Sequence, residues 1–354
     1  MPPNSMQQII YTHSPAAEID ALIARLKPNK VFLLTDETTH RLCKLRLDES
    51  PTLRHATSIV IGATDEHKTL ESLAHVWKML GDGGATRHSL LICLGGGMIT
   101  DLGGFAAATF KRGIAFINVP TTLLAMVDAA VGGKTGINFN GLKNEIGAFR
   151  EAEAVVIDTH FLRTLDAQNL RSGYAEMLKH ALLSSVAMWS DHLATDLDAP
   201  DYDRLQRLVE QSVCVKQNIV AQDPTEKGLR KALNLAHTTA HALESLALLE
   251  GRTLLHGYAV AWGIVGELYL SCRQLGFPTE RMRQTVQFVH ETYGRFHFTC
   301  DHYEQLFAFM THDKKNVDAN INFTLLADVG DICLDQHTTK SALFEMFDFM
   351  REGM

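Results

Sequence analysis

Five short apolar runs separated by polar stretches of helical length fill the first half of the chain, and no other feature restricts the fold as strongly. They read KVFLLTDE, HATSIVIGATDE, HSLLICLGGG, IAFINVP and EAVVIDTHFL. Strands that alternate with helices are joined by crossovers rather than by tight hairpins, so the pattern predicts a parallel α/β sheet covered by helices. From about Ser172 the pattern changes. Segments such as YAEMLKHALLSSV, DRLQRLVEQSVCVKQNIVAQ and AVAWGIVGELYLSCRQLG carry apolar residues at helical spacing, which predicts an all-α second half. A length of 354 residues suits two domains of ordinary size. We therefore place an α/β domain over residues 1–171 and an all-α domain over 172–354.

Composition narrows the function. Lys and Arg number 33 against 41 Asp and Glu, a net charge of -8, the wrong sign for a protein that wraps nucleic acid. No apolar run approaches the roughly 18 residues of a membrane span. The opening MPPNSMQQIIYTHS lacks a basic stretch followed by an apolar one, so a cytoplasmic protein is expected. The six cysteines form no CxxC pair, so neither a zinc knuckle nor a disulfide framework is expected.

In LLICLGGGMITDLGGF, Gly95, Gly96 and Gly97 stand between a buried strand and a helix start. Such a turn lets backbone approach a phosphate, and the helix start offers N–H groups and a positive dipole end. The spacing is not GxGxxG, so the regular dinucleotide fingerprint is absent. Asp101 follows in the first turns, and Asp36 closes the strand KVFLLTDE, where a carboxylate often holds an adenosine ribose. Downstream, Arg112, Asp128, Lys134, Lys143 and Asn144 are set among glycines and apolar residues. GGKTGIN, one lysine between glycines, has the form of an anion clamp.

In the second half, GYAEMLKHALL puts Glu176 and Lys179 at i and i+3 on an otherwise apolar helix, where a buried carboxylate needs a partner. RKALNLAHTTAHALE then sets Arg230, Asn234, His237 and His241 along one expected helical stripe, and LLHGYAVAWG adds His256. A glutamate with two histidines leaves a catalytic zinc an open position from which to polarise a hydroxyl. Spacing alone leaves open which two of His237, His241 and His256 would bind; the HxxxH pattern favours His237 with His241.

These motifs, with NVPTTLLAMVDAAVGGKTGIN, LKNEIGAF, KGLRKALNLAHTTAHALE and DKKN, resemble the 3-dehydroquinate synthases, sugar-phosphate cyclases of the dehydroquinate synthase-like superfamily. The likeness runs from about Val31 to Leu326. It implies a Rossmann-like NAD-binding domain, a helical domain holding Zn2+ or Co2+, and a homodimer. By motif position the metal ligands would be Glu176, His237 and His256. NAD would be held by Asp36, Asp65, Lys68, Gly95, Gly96, Gly97, Asp101, Thr121, Thr122, Asp128, Lys134, Lys143, Phe161 and Thr164. The substrate would meet Asp128, Lys134, Asn144, Lys179, Lys216, Arg230, Asn234, His241 and one of Lys314 and Lys315, with Arg112 reaching its phosphate from the partner subunit. The chain departs from the family where GHTxGH carries Ala236 and Ala240, and where Asp65 replaces a more usual Glu.

The implied substrate carries a carboxylate and a phosphate, which accounts for so many cationic positions in an acidic chain. A cyclase acting on a sugar phosphate without a carboxylate, or a polyol dehydrogenase, would have less use for Lys134, Lys216, Arg230 and Asn234 together.

Overall fold

The computed structural model describes residues 7–311 and 321–353; Lys314 and Lys315 lie outside them. The chain divides into two compact units, Met1–Asp166 with Asp201–Val213 and Ala167–Pro200 with Cys214–Met354.

In the first unit β1 (Ile9–Tyr11), β2 (Val31–Asp36), β3 (Thr57–Ile61), β4 (Leu90–Gly95), β5 (Ala115–Pro120) and β8 (Ala154–Ile157) form one sheet in the order β1-β8-β5-β4-β2-β3. All of its pairings are parallel. Every residue of β4 and β8 is buried, as expected of strands covered on both faces. The five apolar runs became β2, β3, β4, β5 and β8. A further hairpin, β6 (Lys134–Phe139) and β7 (Leu142–Phe149), is antiparallel and separate from the sheet. It occupies the stretch read from sequence as a glycine-set clamp; its exposed β7 has no buried face to impose an alternating pattern.

The strand order reverses between β4 and β2: after β2 the chain moves outward to β3, and after β4 it moves to β5 on the other side. In open α/β sheets ligands bind outside the carboxyl ends of the strands at such a switch point. Asp36 ends β2 and Gly95 ends β4, so the acid and the glycine turn flank it.

The second unit is mostly helical, its core drawn from the helices Ala167–Leu182, His237–Leu249, His256–Leu275, Thr279–Tyr293 and Lys340–Glu352. It is not all-α. β9 (Phe323–Asp328) and β10 (Asp331–Gln336) form an antiparallel hairpin packed on the His256 helix. The expected stripe from Arg230 to His241 is also broken. Leu229–Asn234 is a 3-10 turn, Ala236 takes a left-handed backbone (φ 72, ψ -15), and the α-helix begins only at His237. A left-handed residue cannot continue a right-handed helix.

Candidate active site

In the first unit the residues assigned to a nucleotide follow the carboxyl ends of β2, β3, β4, β5 and β8. Gly96 caps the helix Gly97–Thr109 with no side chain of its own. A Cβ on Gly96 would stand 3.1 Å from Thr122 Cγ2, and one on Gly95 would stand 2.6 Å from Ile99 Cγ1. The turn thus has room for glycine only, the residue that lets backbone at a helix start approach an anion. Asp36 Oδ1 accepts from the backbone N–H of Thr38 and Thr39 at 2.8 and 2.9 Å, and Oδ2 accepts from Thr39 Oγ1 at 2.9 Å. It is thus the N-cap of the next helix, with its orientation fixed by three bonds. The same hydroxyl lies 3.2 Å from Leu94 O, which brings the ends of β2 and β4 together.

Lys68 is buried, 2.5 Å from Asp101 Oδ2 and in contact with Asn144 Oδ1. Asn138 Nδ2 donates to Asp65 Oδ2 at 3.2 Å, and Asn144 N donates to Asn138 Oδ1 at 3.0 Å. The loop after β3 and the hairpin β6–β7 are thereby latched into one polar group containing Asp65, Lys68, Asp101 and Asn144. Asp128 lies within a π-helical turn, Ala125–Ala129, an arrangement frequent at functional sites. Thr121 is buried and Thr122 Oγ1 accepts from Ala125 N at 3.2 Å. Lys134 and Lys143 are exposed. Thr164 Oγ1 donates to Phe161 O at 2.9 Å. Phe161 is 1% exposed, with the Arg46 guanidinium over its ring, which leaves its backbone as the part able to meet a cofactor. Exposed Arg112 has φ 68 beside Lys111 at φ 51, strain of the kind that collects at binding sites.

In the second unit Glu176 is completely buried on the helix Ala167–Leu182. Neither carboxylate oxygen has a hydrogen bond of normal geometry; an ammonium and two imidazoles face them instead. Lys179 Nζ contacts Oε2, while Nε2 of His237 and Nε2 of His256 each stand 3.4 Å from Oε1. Donor atoms of Glu176, His237 and His256 all lie within 4.8 Å of one another. Burial pushes the Glu176 pKa up, but Lys179, His237 and His256 more than offset it and hold the carboxyl well below its usual range.

Do these residues fit a metal ion? Tetrahedral ligands at zinc distances near 2.1 Å lie about 3.4 Å apart, the separation seen from Glu176 to each imidazole. Oε2 is met by the Lys179 ammonium, whereas a buried Oε1 without a normal hydrogen bond is costly unless a cation meets it. The backs of both rings are held as metal-binding imidazoles are held: His237 Nδ1 is 3.0 Å from Leu235 O, and His256 Nδ1 is 3.4 Å from Glu244 Oε1. Burial lowers the His256 pKa, yet hydrogen bonding and charge from Glu176 and Glu244 carry it up to about 10. Three protein ligands leave a position for substrate.

The HxxxH reading differs from this geometry. His241 lies beside the other two imidazoles, its ring centroid 5.6 Å from His237 and 6.5 Å from His256, while the donor atoms that fall together are those of Glu176, His237 and His256. Lys216 is buried on the helix Tyr202–Gln222. Arg230 is buried, donating from Nη1 to Pro224 O at 2.7 Å, and Asn234 Nδ2 donates to Glu226 Oε1 at 3.2 Å. Sequence reasoning passed over Glu226 and Glu244; Glu244 stood three residues after His241, where a helix carries it to the same side.

A parallel six-strand α/β unit with a glycine turn and a mostly helical unit with a Glu-His-His cluster define the class, a two-unit fold with a candidate metal centre in its helical unit. Two solved structures share the fold. A 2-deoxy-scyllo-inosose synthase complexed with carbaglucose-6-phosphate, NAD+ and Co2+ matches with a TM-score of 0.83 at 22% identity, over 98% of this chain and 96% of that one. The 2-epi-5-epi-valiolone synthase of Streptomyces hygroscopicus, with NAD+ and Zn2+ bound, matches at 0.82 and 23%, over 99% and 98%. Family models for 3-dehydroquinate synthase, N-terminal and C-terminal, match residues 58–172 and 173–316. The 3-dehydroquinate synthase of Parabacteroides distasonis is 51% identical over 349 residues, 99% of each chain, and that of Leptospira interrogans is 37% identical over 330, covering 92% of this chain and 90% of its own. The chain belongs to the 3-dehydroquinate synthase family, EC 4.2.3.4. Among the described residues no helix is long and apolar enough to cross a membrane.

Proposed function

We propose that the chain converts 3-deoxy-D-arabino-heptulosonate 7-phosphate into 3-dehydroquinate and phosphate with NAD and Zn2+ or Co2+, as a cytoplasmic homodimer. Residues 1–171 would carry the nucleotide, and 172–354 the metal and most substrate contacts. The observation that carries this reading is the buried Glu176 carboxylate facing two imidazole nitrogens at 3.4 Å, in a chain of this family. The NAD+ and metal named with the two related structures support the cofactors.

When bound, NAD supplies a reversible hydride acceptor and the divalent ion a Lewis acid, so that one substrate hydroxyl is oxidised and later restored with no net redox change. Glu176, His237 and His256 would hold the ion; Asp36, Asp65, Lys68, Gly95, Gly96, Gly97, Asp101, Thr121, Thr122, Asp128, Lys134, Lys143, Phe161 and Thr164 would hold the nucleotide. Lys179 puts an ammonium beside Glu176, where it favours negative charge developing on the hydroxyl oxygen. Lys134, Lys216 and Arg230 bind the carboxylate and phosphate, and Asn144, Asn234 and Asp128 orient the hydroxyls. A ketone next to the C–H bond acidifies it, and phosphate leaves by β-elimination. The proton goes to His241 or to the departing phosphate itself. Ring opening and intramolecular aldol closure then form the carbocycle.

Purified protein with the heptulosonate phosphate, zinc and catalytic NAD+ is expected to release phosphate and dehydroquinate together, many times over per NAD+, without NADH accumulating. Steady NADH accumulation, or metal and NAD+ bound with no phosphate released, would overturn the reading.

The homodimer adds a prediction. If Arg112 serves the partner's phosphate site, Arg112→Ala raises KM, and mixing it with inactive Lys179→Ala regenerates up to about a quarter of normal activity through heterodimers with one intact site. Each mutant assayed alone sets the baseline; no gain on mixing and re-association rejects a shared site.

A further inference from the structure

Glu267 lies outside everything described so far. It is completely buried on the helix His256–Leu275, eleven residues after the ligand His256. Eleven residues at 3.6 per turn make just over three turns, so Glu267 and His256 point to the same side of one helix. Its two oxygens serve the start of the neighbouring helix, His237–Leu249. Oε2 accepts the Ala236 N–H at 2.6 Å and Oε1 the Thr239 N–H at 3.2 Å. The Thr239 N–H, at N3, is ordinarily met by the N-cap side chain, and the N-cap's own N–H by the side chain at N3. Here the N-cap is Ala236, whose methyl cannot serve and which makes no side-chain cap. Gly263, one turn before Glu267 on the same face, admits the close approach; a Cβ there would stand 2.2 Å from Ala236 O.

The consequence for the site lies in one peptide plane. Ala236 N–H, gripped by Glu267, and Leu235 C=O, 3.0 Å from His237 Nδ1, belong to the same rigid peptide unit. Glu267 holds one edge of that plane and the His237 ring rests on the other, which leaves Nε2 directed at Glu176 Oε1. We infer that Glu267 is a positioning residue of the Glu176-His237-His256 centre, an N-cap supplied from a neighbouring helix that fixes the His237 ring through the Leu235–Ala236 peptide. The inference rests on the metal reading given above.

Glu267→Gln keeps the size of the side chain but turns one acceptor into a donor facing an N–H, so one of the two bonds is lost. Outer-shell changes of this kind typically cost roughly 10–100-fold in metal affinity. We expect that loss for zinc, measured by chelator competition, and a changed absorption spectrum of the Co2+ form, with the far-ultraviolet circular dichroism retained. A capping role confined to stability would lower the melting temperature and leave affinity and spectrum untouched, and that result overturns the inference. Should Glu267→Gln fail to fold, Glu267→Asp, which keeps the charge one methylene further back, is measured in the same way, and unchanged affinity and spectrum in it are equally fatal. The unmutated chain and Glu176→Gln run in parallel: if the first binds no zinc, or the second binds it as tightly as the first, the metal reading has failed rather than the role of Glu267.

Discussion

Glu176→Gln is expected to lose its zinc and at least about a thousandfold in kcat/KM, because a Lewis acid contributes several kcal/mol to such a step and each 1.4 kcal/mol is a factor of ten. The variant should also be destabilised. Lys179 Nζ is buried against Glu176, and removing one partner of a buried ion pair costs about 3–5 kcal/mol through the charge left behind. Those two losses separate in a double variant. Glu176→Gln combined with Lys179→Met removes both charges and should recover much of the melting temperature, while zinc binding and turnover stay lost. Metal analysis, calorimetry and the phosphate-release assay on the three proteins check each part. Zinc at full stoichiometry in Glu176→Gln would remove this carboxylate from the ligand set.

The central strands were legible because a parallel strand covered on both faces must be an apolar run, and β2, β4 and β5 are such runs. What the sequence did not disclose had no buried face or too little length. β1 has three residues, β7 is exposed along nearly all of its length and β10 has no fully buried residue; β9 is the exception, an apolar strand buried over its first four residues that was taken into the helical half. The site divides in the same way. Spacing tells which side chains share a face of one helix, and it favoured His237 with His241; it says nothing about which other helix faces them. The geometry brings His256 and Glu176, from two further helices, to His237. The broken stripe was hidden too, since an alanine gives no warning of a left-handed backbone. One signal was available and went unread: Glu267 is a lone acid in the apolar AVAWGIVGELYL, the same anomaly that drew attention to Glu176 in YAEMLKHALL.

Gly257→Ala, which touches no charge, should be nearly as damaging as the loss of a ligand. Gly257 follows His256 in the first turn of its helix and donates its N–H to Ser172 Oγ at 3.1 Å. Ser172 lies on the helix Ala167–Leu182, about one turn before Glu176. A Cβ on Gly257 would stand 1.8 Å from Ser172 O and 2.4 Å from Ser172 C. Both atoms are backbone in the middle of a buried helix, so no rotamer can relieve the clash and the two helices must separate. Overpacking costs about 1–3 kcal/mol even where side chains can yield; here the upper end is a floor. At about 2–4 °C per kcal/mol for a unit of this size, the melting temperature should fall by at least about 6 °C. The separation also moves His256 away from Glu176, so zinc affinity should drop with stability. Gly81→Ala supplies the contrast. It is exposed in the helix Leu70–Asp82 with nothing within 4 Å of an added Cβ, and alanine there should leave stability unchanged or raise it by up to about 1 kcal/mol. Equal melting temperatures and equal zinc affinities in Gly257→Ala and the unmutated chain would show that the contact between these two helices does not set the distance from His256 to Glu176.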